Sequence, residues 1–186
     1  MYKKLPKIAL FVLSFLISAG SLFSQEKTEY VCTPCGRDCD NEIHYSEGTC
    51  PVCNMPYIEK SRVKMHTLQP EEVAMIISNN EDYIILDVRT KEEYEGTSEI
   101  EPVGAGHLLN AINISSREIE NRLGELEQYK DKKIIVYCSH SHRSPMCSQI
   151  LTDAGFENIY NMAEGLTTFV EKGLVNTNTG ESLLTK

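Results

Sequence analysis

The sequence predicts an α/β domain, with a parallel sheet covered by helices on both faces, preceded by a small Cys-rich domain that a metal or disulfides must stabilise. Three observations carry this reading. From Met65 onward, short β-type apolar runs alternate with segments of helical spacing. Five of the seven cysteines fall between Cys32 and Cys53. The 186 residues leave room for one ordinary domain, or for a compact domain plus a small one. A hydrophobic content of 41% argues against disorder, and a net charge of −9 argues against nucleic acid or an anionic membrane surface as a partner.

Residues 1–24 read as a secretory signal peptide. Lys3, Lys4 and Lys7 form a basic start, Ile8 to Ile17 is an apolar run, and small residues follow at Ser18, Ala19, Gly20 and Ser21. The run is shorter than the roughly 20 residues of a membrane span, so no stable membrane insertion is expected after cleavage. Loss of the three lysines takes the net charge from −9 to −12. The expected location is exported, periplasmic or secreted, where disulfides are able to form.

Residues 28–60 hold two Cys-x-x-Cys pairs, Cys32/Cys35 and Cys50/Cys53, with fourteen residues between them. Pro34, Gly36, Pro51 and Asn54 supply turn chemistry at the two knuckles. Four thiolates on two knuckles suit tetrahedral zinc or another soft ion, and paired disulfides are the alternative. About 30 residues cannot bury a sufficient core, so one or the other must supply the folding energy. Cys39 and His44 are spare, and either is able to replace one of the four. The stretch resembles the short heavy-metal-binding domain of bacterial metal transporters and their associated proteins, through Tyr30-x-Cys32-x-x-Cys35 and Gly48-x-Cys50-Pro51-x-Cys53-x-Met55. That family usually has His at the position of Cys35 and Gly at that of Asn54. The resemblance implies a soft metal at Cys32, Cys35, Cys50 and Cys53, and a metal-transport or redox protein as a partner.

Residues 65–175 carry the α/β pattern. Pro70 opens a helix with Val73, Ile76 and Ile77 on one face. Tyr83 to Leu86 and Ala111 to Ile114 read as strands, and Ser115-x-x-Glu118 reads as a capping box ahead of Ile119, Leu123 and Leu126. Lys133 to Tyr137 is a central strand candidate. Met146, Cys147, Ile150, Leu151 and Ala154 share a helical face that Gly155 ends, and Asn158 to Asn161 precedes a last helix with Leu166 and Phe169. Residues 176–186, rich in Asn, Thr and Gly, read as a flexible tail.

In such a sheet, ligands sit beyond the carboxyl ends of the strands. The loop Cys138-Ser-His-Ser-His-Arg143-Ser144 occupies that place after the central strand. Successive amides and a helix N-terminus there favour a thiolate and an anion. Cys138 is therefore the candidate nucleophile, while Cys147, on an apolar face, reads as a packing residue, with a resolving thiol as the alternative.

The ordered motifs make the resemblance specific. Ile85-Leu-Asp87-Val-Arg89-x-x-x-Glu93-Tyr94, Gly106-His107-x-x-x-Ala111-Ile-Asn-Ile114, Tyr137-Cys138-x-x-x-x-Arg143-Ser144 and Asn161-Met-x-x-Gly165 resemble a single-domain rhodanese, a sulfurtransferase, over about 110 residues. The six-residue span Cys138 to Arg143 matches the sulfurtransferase loop, whereas related phosphatases and arsenate reductases carry one residue more. The resemblance implies that Cys138 takes a sulfane sulfur from a small donor, thiosulfate or a persulfide, and passes it to a thiol or cyanide-like acceptor, with no cofactor required for the transfer. It further implies that Arg143 closes the loop, that Asp87, Arg89 and His107 support it, and that Ser139, His140, Ser141, His142 and Ser144 line the substrate. Thiosulfate-using relatives often carry Arg and Gly at the positions of Ser139 and Ser141. The loop thus lacks a fixed cation, for which His140 and His142 are able to compensate; contact with a metal or with solvent are the other readings of these two residues. Leu109-Asn110 replaces a Pro-Gly pair, and Asn tolerates the left-handed turn that glycine would make.

Overall fold

Five parallel strands stand in the order β3-β8-β7-β4-β6, and everything else in the α/β domain is arranged around them. The computed structural model describes residues 27–99 and 106–185; the expected signal peptide lies outside the described residues. In chain order the elements are β1 (Tyr30–Cys32), β2 (Tyr57–Glu59), β3 (His66–Leu68), α1 (Pro70–Ser78), β4 (Tyr83–Asp87), α2 (Lys91–Tyr94), β5 (His107–Leu108), β6 (Ile112–Asn113), α3 (Ile119–Leu126), β7 (Lys133–Tyr137), α4 (Arg143–Asp153), β8 (Ile159–Met162), α5 (Gly165–Glu171) and β9 (Leu184–Thr185).

Alternation along β7 sorts the two faces. Ile134 and Val136 join Leu86, Val88 and Ile159 against Ile119 and Leu126 of α3 and Cys147 and Leu151 of α4. Ile135 and Tyr137 face the other way, with Ile85, against Val73 and Ile76 of α1 and Leu166 and Phe169 of α5. Residues two apart on a strand point to one side, so a continuous apolar run such as Ile134-Ile-Val136 serves both layers at once. The α/β class and the covering of both faces are as the sequence predicts.

Three local expectations change. The Ser115/Glu118 box does not open α3: the Ser115 carbonyl accepts from the amides of Glu118 and Ile119, forming a turn, and Glu118 itself caps the helix. Working capping boxes occur instead at Gln69/Glu72 and Thr90/Glu93. Met146 is half exposed rather than sharing the face of Cys147, because the buried stripe of α4 runs through Cys147, Ser148 and Leu151. The chain beyond residue 175 is no frayed tail. Leu183 is fully buried in the α1/α5 layer, and β9 pairs antiparallel with β5. One large apolar side chain and two strand residues at the end of a polar stretch suffice to dock it.

The Cys-rich segment is a two-stranded unit, β1 against β2, whose core is Cys32, Cys35, Cys39, Cys50, Cys53 and Met55. It is joined to the sheet domain by Arg62, which pairs with Asp153 at 2.7 Å and accepts through its carbonyl from Gln149.

Candidate active site

Cys138 leaves the end of β7 and is only 1% exposed. The loop that follows is anchored from outside by α5: the Leu166 and Thr167 amides donate to the carbonyls of Cys138 and Ser139 at 2.8 and 3.0 Å. Gly165 makes that approach feasible, since a Cβ there would land on the Ser139 carbonyl and its φ of +76° is left-handed. With those carbonyls engaged, the amides of Ser139, His140, Ser141 and His142 have no hydrogen-bond partner among the described residues. Ser141 holds φ at +55°, in the left-handed region. Asn161 donates to its Oγ at 3.1 Å and compensates for the strain. A left-handed residue within a run of unpaired amides makes an anion-binding concavity. Ser144, in the first turn of α4, is fully buried and its hydroxyl also lacks a partner among the described residues.

Arg143 closes the loop through a carboxylate rather than through loop carbonyls. Its guanidinium grips Glu93 in a two-pronged pair at 2.7 and 2.8 Å, and its Nη2 donates to Ser139 Oγ, which in turn donates to Glu93 Oε1. Burial alone would raise the Glu93 carboxyl, but the hydrogen bond and charge of Arg143 outweigh it and hold the pKa down at about 2. Against the opposing effect of burial, the Glu93 hydrogen bond and then the charge of nearby Cys138 raise the Arg143 pKa above its ordinary value. Beneath the loop, Asp87 and Arg89 form a fully buried pair at 2.6 Å, and Arg89 donates onward to the Gly106 carbonyl. His107 stacks on Tyr94 at 3.7 Å and bonds the Tyr94 carbonyl through Nδ1.

The model of the rhodanese-like domain family matches residues 69–172. The chain belongs to the rhodanese-like family. It is 30% identical over 115 residues to YibN, an uncharacterized protein of Escherichia coli strain K12, a match covering 61% of this chain and 72% of YibN. It is 24% identical over 124 residues to the tRNA uridine(34) hydroxylase of Cytophaga hutchinsonii, covering 64% of this chain but only 36% of the hydroxylase. A solved structure of a protein of unknown function from Rhodopseudomonas palustris, described as a possible tyrosine phosphatase, superposes with a TM-score of 0.50 at 19% identity, covering 60% of this chain and 83% of that one. That likeness is one of fold.

Within this rhodanese-like domain the expected residues take different places. Cys138 and Arg143 stand in the loop, Asp87 and Arg89 pair with each other and reach Gly106, and His107 packs on Tyr94. Ser139 is drawn away from substrate, because Glu93 and Arg143 engage its hydroxyl. From the sequence the acidic pair Glu92-Glu93 reads as a solvated face, yet Glu93 turns inward to Arg143 and Ser139; its place in the motif with Asp87 and Arg89 is the available signal. Ser141 is buried and bound to Asn161, whereas His140 and His142 are exposed. Partial burial, then the charges of Arg37 and His140, lowers the His142 pKa below the ordinary imidazole value, so His142 is a poor cation at neutral pH. Cys147 shares the apolar layer with Cys138, and burial, reinforced by Cys138, pushes its thiol up to about 12. That is packing behaviour, not that of a resolving thiol.

The second cluster of sulfur lies in the Cys-rich unit. The sulfurs of Cys32, Cys39, Cys50 and Cys53 all lie within 4.8 Å of one another. Cys39, which the spacing leaves spare, thus stands where Cys35 is expected; Cys35 belongs to an overlapping group with Cys32, Cys39 and Asp40. The reason is local. The amides of Cys35 and Gly36 both donate to Asp40 Oδ2, curling the first knuckle so that the short 3-10 turn at Asp38–Asn41 brings Cys39 inward. The Cys39 and Cys53 sulfurs are 3.8 Å apart, far beyond a disulfide bond and near the edge of about 3.8 Å that four thiolates at 2.3 Å from zinc would form. Burial and mutual repulsion raise the thiols of Cys32, Cys35 and Cys39, the last to about 11. At Cys50, burial is outweighed by the Cys53 and Val52 amides, which bring it to about 7. A dication would reverse that repulsion, so the donor set fits a soft metal.

Proposed function

We propose that this chain is an exported sulfurtransferase working through a Cys138 persulfide. The Cys138 thiolate attacks the outer sulfur of thiosulfate or of a small persulfide. A Cys138 S–S bond forms, the donor's S–S bond breaks, and sulfite or a thiolate leaves with the bonding pair. The persulfide carries a negative charge into the run of four unpaired amides from Ser139 to His142, and this run is the observation that carries the reading. A thiol or cyanide-like acceptor then attacks the terminal sulfur and returns the Cys138 thiolate, so the cycle needs no outside oxidant or reductant. The span of six residues from Cys138 to Arg143 suits a single sulfur better than a tetrahedral oxyanion, which favours sulfur transfer over the phosphatase chemistry suggested for one structural neighbour.

Purified protein treated with thiosulfate should gain one sulfur atom in intact mass, lost again on treatment with cyanide. Cys138→Ser should show no adduct; an adduct of equal yield in that variant overturns the assignment. Export is tested by the N-terminal residue of protein recovered from the periplasm or medium.

A second reading concerns the Cys-rich unit. We propose that Cys32, Cys39, Cys50 and Cys53 hold zinc or another soft ion, with Cys35 and Met55 adjoining, on the strength of their buried sulfurs and spacing. Such a metal would cross-link β1 and both knuckles. Elemental analysis should find about one equivalent per chain, lost in Cys53→Ser, whereas metal-free protein with two disulfides rejects it.

A further inference from the structure

The Cys-rich unit is seated on the sulfur site itself. Asn161, whose amide holds Ser141 in the loop, also donates to the Pro34 carbonyl at 3.4 Å. Two residues on, Gly36 packs so tightly on Ala163 that a Cβ at Gly36 would collide with the Ala163 side chain, and its φ of +92° suits only glycine. The His142 ring lies near the Cys53 backbone. The segment Pro34 to Gly36 is therefore packed beside the Cys138 loop, with Asn161 bridging the two.

An anionic donor approaching this acidic protein meets few available cations. Arg89 is buried against Asp87, and Arg143 is gripped by Glu93. Lys172 and Arg62 are paired with Glu71 and Asp153. Arg37 is exposed, follows the Gly36 contact directly, and has neither an ion pair nor a side-chain hydrogen bond among the described residues. Within the loop, the Ser139 hydroxyl is engaged by Glu93 and Arg143.

We propose that Arg37 of the Cys-rich unit supplies the donor-binding cation of the Cys138 site, making one composite site selective for sulfane donors with an anionic end, such as thiosulfate. This rests on the sulfurtransferase reading above. Arg37 binds the sulfonate end, and the outer sulfur points to Cys138 beneath the unpaired amides. Arg37 is a positioning residue on the donor and takes no part in bond making.

The test uses the full-length protein, with thiosulfate and an uncharged-tail alkyl persulfide as donors. Arg37→Ala should raise KM for thiosulfate about 10- to 100-fold, the value of one charged hydrogen bond, with kcat little changed. Arg37→Lys should recover part of it, and the alkyl persulfide should react at a rate within about twofold of wild type. Thiosulfate should also shield Cys138 from iodoacetamide in the wild type and not in Arg37→Ala, a readout that needs no turnover. Equal shielding in both proteins, no shielding in the wild type, or an equal loss with both donors overturns the proposal. Shielding without any sulfur adduct would remove the sulfurtransferase reading and leave the anion site standing. The backbone amide of Arg37 that bonds Cys35 is kept in both variants.

Discussion

The two units of this chain bury different things. The sheet domain has two aliphatic layers, one led by Leu86, Ile134 and Leu151 and the other by Ile135, Leu166 and Phe169. In the Cys-rich unit the buried cluster is five thiols and a thioether. Apolar layers are self-sufficient because the hydrophobic effect asks only for contact. A thiol core is conditional on what the sulfurs bind. The difference teaches that the Cys138 loop, whose Cys138 and Arg143 belong to the fixed half, is flanked by a conditional half, to which the adjoining Pro34 and Gly36 belong.

The largest effect separates the two directly. Stripping metal with a strong chelator under reducing conditions should unfold residues 27–60, because structural zinc supplies about 10–16 kcal/mol in units of this size. Residues 65–175 should stay folded. Limited proteolysis followed by mass mapping should cut only within residues 27–60, and a stripped protein resistant throughout would abolish the distinction.

Next in size is the buried Asp87–Arg89 pair. Both side chains are fully buried, so Arg89→Ala leaves an uncompensated carboxylate under the loop. The expected loss is about 3–5 kcal/mol, read from urea midpoints. Replacing both, Asp87→Asn with Arg89→Met, should recover part of it. Below this comes Leu183→Ala, at about 2–4 kcal/mol, by loss of a fully buried side chain from the α1/α5 layer. A value near zero would restore the tail to the solvent-exposed role its composition suggests.

How much of this was legible in the sequence follows from the range over which each feature is determined. The strands Tyr83–Asp87 and Lys133–Tyr137, the stop at Gly155 and the left-handed turn at Asn110 are local matters of period and backbone, and all are found where the pattern puts them. Cys138 was recognisable because a thiol at a strand end before a polar loop is itself a local arrangement. The features that escaped depend on distant partners. Glu93 meets Arg143 across fifty positions, Cys39 displaces Cys35 only once Asp40 folds the first knuckle, and Leu183 finds its layer through β5. Asn161 could be read as a motif residue, yet its second bond, to Pro34, spans 127 positions. Periodicity carries no information about contacts of that kind.

The smallest effect tests whether the fixed half is fixed at its rim. Glu93 is mostly buried, and Arg143 holds its carboxyl at about 2 against an unfolded value of 4.5. A depressed carboxyl stabilises the fold when ionised, so its contribution is fully present above pH 4.5 and is lost as pH falls toward 2. Because Arg143 is one-third exposed, the contribution is discounted to about 1–2 kcal/mol. Glu93→Gln should therefore cost that amount at neutral pH, and wild type and variant should converge in stability toward pH 2. The same substitution leaves an amide oxygen able to accept from Ser139 and removes only the charge that Arg143 grips, so the Asp87–Arg89 pair beneath should stay closed. A constant gap between the two proteins from pH 7 to pH 2 would mean that Glu93 acts by packing rather than by charge, and that the rim belongs with the conditional half.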